Sequence, residues 1–168
     1  MRRSPQRKDS EFLRKALVEL LDNFADELKR GDLREKVRAL VPVFHKLRDL
    51  GASLIPKPTA NSARDRMIEY FKQYPMRVID GDELMVISGI GEWPRRVREL
   101  RVQFGWWIYS GATFKDIAED EQDTLLSKDL GFDPKGIKVD QYVLMRIDED
   151  RDAAHRWNAL NAARKGGG

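Results

Sequence analysis

Four arginines, Arg95, Arg96, Arg98 and Arg101, fall within seven consecutive positions of the stretch Trp93-Pro94-Arg95-Arg96-Val97-Arg98-Glu99-Leu100-Arg101. A guanidinium is permanently charged and carries a rigid fork of donors that matches a phosphate or the O6/N7 edge of guanine. Such a cluster is equipped to bind nucleic acid. Read as a helix, the stretch directs Arg95 and Arg98 outward toward base edges, with Glu92 able to accept from cytosine N4. Arg96, Arg101 and Gln103 lie on the flanks, where phosphates would be met, as would Arg64, Arg66 and Lys72 if the helix that carries them, the first of the same unit, crosses the backbone. The competing reading is a solvated helix stitched by ion pairs four residues apart, Glu92 with Arg96 and Arg95 with Glu99. Two acids against four arginines still leave Arg98 and Arg101 in excess.

Other chemistry is sparse. With no cysteine there is no disulfide, thiolate ligand or cysteine nucleophile. The two histidines, His45 and His155, fall in separate helical patterns. His155 and Asn158 stand three apart without a third ligand, and Glu27-Leu28-Lys29 sits inside a helical pattern rather than on a nuclease strand. Glu119-Asp120-Glu121 reads as solvated charge, and Gly89-Ile90-Gly91 lacks the strand and third glycine of a nucleotide loop. No catalytic site, cofactor or metal is expected within this chain.

The arginines need a scaffold. A helix over about 92–104 places Trp93, Val97, Leu100 and Phe104 on one stripe facing a core and puts Glu99 and Val102 with the outward arginines. Pro94 suits the first turn, and after Gly105 the run Trp106-Trp107-Ile108-Tyr109 favours a strand. A short amphipathic segment, 82–88, precedes the turn at Gly89. Helix, glycine turn, arginine-faced helix and strand is the order of a winged helix-turn-helix, whose second helix enters the major groove.

The totals permit this without requiring it. The 168 residues can hold one domain or two small ones, and the net charge of +3 divides as +5, +1 and −3 over residues 1–57, 58–111 and 112–168. No apolar run approaches a membrane span and no signal peptide is evident, so a cytoplasmic protein without a membrane partner is expected.

Along the chain, 1–9 reads as a disordered basic tail. Ser10 is the expected N-cap of a first helix and Asp32 of a second, in which Pro42 should kink or divide the helix and Leu50-Gly51 should end it. Together 10–54 form a helical hairpin too apolar to stand alone, which must pack on the winged unit or pair with a second copy as a homodimer. The prolines of 55–61 mark a linker. The winged unit spans 62–147, with a strand near Arg77-Val78-Ile79, a returning strand over 141–147 and an insertion in the wing over 112–140, helical from Phe114 to Leu126. A C-terminal helix over 148–165 and the flexible start of a linker at 166–168 follow, as if the protein continued. The expected fold is mainly α with a small β wing: helical hairpin, winged helix-turn-helix and C-terminal helix.

Three blocks carry a resemblance: Ala63-Arg64-Asp65-Arg66-Met67-Ile68, then Arg77 through Leu84 with Ser88-Gly89-Ile90, then Trp93 through Arg101. They resemble the DNA-recognition region of bacterial HNH restriction-type endonucleases, in which an R-R-V-R-E-L-R segment precedes a nuclease domain. Pro94 and Trp107 depart from that pattern, and the nuclease motif is absent here. The resemblance implies double-stranded DNA recognition for a metal-dependent nuclease beyond this chain. A dimeric winged-helix transcription regulator and a protein-interaction domain using Trp106, Trp107 and the acidic insertion are the alternatives.

Overall fold

The computed structural model describes residues 9–56, 59–119 and 130–166. Its elements are α1 (Ser10–Arg30), α2 (Leu33–Ser53), α3 (Ala63–Gln73), β1 (Ile79–Asp80), α4 (Gly81–Ser88), α5 (Trp93–Val102), β2 (Trp106–Ser110), α6 (Gly111–Glu119), β3 (Gln141–Glu149) and α7 (Arg151–Gly166), with a 3-10 turn at Pro134–Gly136. The chain is mainly α with a small β wing, as its periodicities imply. β3 lies between β1 and β2 and is antiparallel to both, pairing Ile79 with Tyr142 and Ile108 with Leu144.

Helix starts follow the local chemistry. Asp32, Ser62 and Asp80 each cap a helix whose third residue is Glu or Asp and reaches back to the cap, satisfying otherwise orphaned N–H groups in pairs. Glu83, the acid that closes the Asp80 box, also accepts from the Tyr70 hydroxyl at 2.7 Å. That bond, helped by burial, pushes the phenol up to about 12. α1 is capped by Asp9 rather than Ser10, because the Asp9 carboxylate takes the Phe12 N–H while the Ser10 hydroxyl meets Ser53 at 2.8 Å. α2 is one continuous helix with Pro42 inside it, and it runs through Gly51 to Ser53. Gly51 lies against α4, where a Cβ would collide with the Val86 carbonyl; the glycine therefore serves close helix packing, not termination. This end of the hairpin docks within the chain.

The main core joins Met67 and Phe71 of α3, Leu84 and Ile87 of α4, Val97 and Leu100 of α5, Ile108 of β2 and Leu144 of β3. Ile55 and Ala60 are buried in the same cluster, so the proline-bearing stretch between hairpin and wing is anchored at both ends. Side chains alternate across a strand, and Val143 therefore faces the other way from Leu144. It meets Phe114 and Ile137 of the insertion, with Tyr109, Phe132 and Met145 around them. α6 and the residues around the 3-10 turn thus cover the face of the sheet turned away from the main core. Its helix occupies Gly111–Glu119; the expected continuation to Leu126 lies outside the described residues. Asp148 and Glu149 extend β3 rather than starting α7.

Candidate nucleic-acid interface

α4 ends at Ser88, and Gly89 in the left-handed region (φ 66°) turns the chain into α5. A Cβ at Gly89 would press on the Arg48 carbonyl and on Ala52, so the turn is pinned from α2. Pro94 occupies the first turn of α5, where no N–H is required. Trp93 packs edge-on against Tyr142 at 6.0 Å, and Val97 and Leu100 are buried. Phe104 departs from the expected stripe. It is exposed beyond the end of α5, with the Arg64 guanidinium 4.7 Å above its ring.

The larger correction is Glu99. Expected on the outward side, it is only 9% exposed, because α3 packs along that flank of α5. Its carboxylate gathers three guanidiniums: Arg96 at 2.8 Å from both oxygens, Arg95 at 3.4 Å and Arg64 of α3 at 3.4 Å. The hydrogen bond from Arg96 holds the carboxyl below the usual carboxylate range against the opposing effect of burial, and the charges of Arg96, Arg64 and Arg95 add to it. Arg96 therefore turns to Glu99 instead of forming the expected ion pair with Glu92.

Arg66, expected near phosphate, is buried. Its Nε donates to the Ile87 carbonyl at 3.0 Å and its other arm to the Ser88 carbonyl, satisfying the C-terminal turn of α4 from inside the protein. Lys72 lies over the Trp106 ring at 5.1 Å. Gln103, half-buried, caps the end of α5 through its backbone N–H to Glu99.

Three expected residues remain outward. Glu92 is exposed at the start of α5, the Arg95 side chain is 69% exposed despite its contact with Glu99, and Arg98 is exposed. Arg98 and Arg101 line a cleft of about 300 Å³ with Pro94, Val97, Val102 and Tyr142. Arg101 donates to Thr113 Oγ1 at 3.1 Å, which ties α5 to the first turn of the insertion. Burial raises the Tyr142 phenol, with the Arg101 charge opposing. Of the two expected ion pairs, Arg95 with Glu99 forms and Glu92 with Arg96 does not; what sequence reasoning missed is that Arg96 and Arg64 join Arg95 at Glu99. The signal was the position of Glu99 three and four residues after Arg96 and Arg95.

Comparison with known proteins adds one finding. Residues 64–145 match the family model of the KpnI N-terminal domain. The match, to a restriction-enzyme-related domain, runs from α3 to β3 and takes in the whole arginine surface, a little under half of the chain. The helical hairpin and α7 fall outside it. No curated protein and no solved structure matches the chain. Among the described residues no helix is long and apolar enough to cross a membrane.

Proposed function

We propose that residues 62–147 bind double-stranded DNA as a winged helix-turn-helix and select the target of an HNH restriction-type endonuclease. The metal-dependent nuclease domain would lie outside these residues. The observation that carries the reading is the outward face of α5, where Arg98 and most of Arg95 stand exposed beside Arg101 on a helix backed by Val97 and Leu100. The strand order β1-β3-β2 around α3, α4 and α5 suits a winged helix, and the match to a restriction-enzyme-related domain supports a role in DNA targeting.

In this reading Arg95 and Arg98 meet base edges and Glu92 a cytosine amino group. Arg101, Lys72 and Gln103 approach phosphates, Arg96 and Arg64 do so only from their places beside Glu99, and Arg66 drops from the contact surface. The test is a selection from random duplexes, methylated and unmethylated, followed by binding to the selected site. Arg98→Ala should lose about 1–3 kcal/mol of discrimination at one position, a relaxation of roughly 5- to 150-fold. Arg101→Ala should weaken all duplexes alike and shrink the salt slope by about 1. Equal affinity of wild type and both variants for every duplex would overturn the proposal.

A further inference from the structure

The hairpin leaves one face uncovered. On α2, Leu33 is 78% exposed and Phe44 64%, with Val37 and Leu47 between and beyond them at helical spacing; on α1, Leu28 is 58% exposed and Leu21 nearly half. Projected down the two antiparallel helices, these positions fall on the same side of the hairpin. They form one apolar surface, which runs on into a groove of about 820 Å³ against Met85 and Val86 of α4. Exposed together they offer on the order of 700 Å² per chain, close to the ~800 Å² that each partner contributes to a standard stable interface.

Charge selects what covers it. Between Lys15 and Lys29 the only charges on α1 are acidic, Glu19, Asp22, Asp26 and Glu27, whereas the edge of α2 remote from α1 carries Arg34, Arg38 and Arg48 against one acid, Asp49. Among the described residues no ion pair links α1 to α2 within the chain; Asp26 pairs with Arg30 of its own helix at 3.6 Å. Acidic and basic edges are thus offered outward by the same hairpin, which is self-complementary.

We propose that two copies of this chain join through this face as a four-helix bundle, with α1 of each lying over α2 of the other. Two hairpins can face each other with two-fold symmetry in two ways. An axis across the helices stacks α2 on α2 and, centred on the helices, brings Arg38 of one copy level with Arg48 of the other. An axis along the helices puts α1 over α2 and acid opposite arginine. The second is favoured because like charges across an interface are costly and opposite charges set register. It also places both winged units at the same end of the bundle, since each leaves from the C-terminus of its α2. The alternative would hold them at opposite ends of helices about 32 Å long, at 1.5 Å for each of 21 residues. This pairing does not rest on the DNA reading, though side-by-side α5 helices would suit a two-fold symmetric duplex site.

Sedimentation equilibrium of the full chain tests it. Wild type should be a dimer, and Val37→Glu with Phe44→Glu a monomer of unchanged helix content by circular dichroism. Asp22→Lys with Asp26→Lys in one chain, and Arg34→Glu with Arg38→Glu in another, should each weaken self-association more than about tenfold. Mixed, these two charge-reversed chains should form a heterodimer, because one α1-over-α2 contact then sets lysine against glutamate and the other keeps the native acid-to-arginine pairing. A monomeric wild type, failure of the mixture to associate, or spin labels on the two wings reporting opposite ends of the bundle would overturn the proposal.

Discussion

Replacing Glu99 by glutamine tests whether one carboxylate organises the arginine surface. The amide keeps the size and one acceptor but removes the charge that faces Arg64, Arg95 and Arg96. Hydrogen bonds to charged groups contribute about 1.5–3 kcal/mol each when shielded. Here the carboxylate is nearly buried but the guanidiniums stand one-third to two-thirds in solvent, which screens the pairs, so the loss should be about 2 kcal/mol for the cluster as a whole. For a chain of this size that is a fall of roughly 4–8 °C in melting temperature. The pH dependence gives a sharper check. Because the folded carboxyl titrates below its ordinary 4.5, its contribution is complete above that value and lost as pH falls through the depressed pKa. Wild type and variant should therefore differ by a constant amount at neutral pH and converge in acid. Calorimetric scans from neutral pH down to the acid limit measure both effects. Equal melting temperatures at neutral pH, or a gap that widens as pH falls, would refute the assignment of Glu99 as the hub.

Arg66→Met should cost about 2–4 kcal/mol in urea denaturation, because the Ile87 and Ser88 carbonyls lose their donors inside the protein. A variant as stable as wild type would mean that those carbonyls find other donors. Gly105→Ala should also destabilise, by about 2 kcal/mol or more, since the residue sits at φ 70° and a Cβ would strike the Asp150 backbone. The Asp150 N–H that donates to the Gly105 carbonyl should then exchange faster with solvent by hydrogen-deuterium exchange.

Much of this architecture was legible because it depends on local chemistry. The cap at Asp32, the proline in the first turn of α5 and the burial of Val97 and Leu100 all follow from residue spacing within one element. What was illegible depends on neighbours distant in the chain. Gly51 reads as a stop signal until Val86 of α4 is seen lying against it. Glu99 belongs on the outer face of an isolated helix, and only α3 arriving with Arg64, 35 residues away, turns that face inward. Arg66 reads as a surface residue by type, and nothing near it in the sequence reveals the carbonyls it reaches 21 and 22 positions later.

These corrections share a consequence for the arginine count. Arg64 and Arg66 leave the same short helix in different directions: Arg66 grips the last carbonyls of α4, and Arg64 reaches the carboxylate of α5. α3 thereby holds both helices on either side of the Gly89 turn. A Lys at either position would keep the charge but lose the planar, multi-donor geometry. Basic residues that a composition argument assigns to a ligand are here spent on aiming the helix that carries the others. The outward charge of α5 is then fewer arginines than its sequence advertises, Arg98 first and Arg95 in part, held on a firm support. For the proposed reading of a duplex that would be the better arrangement, because discrimination between bases depends on side chains whose backbone is fixed before contact.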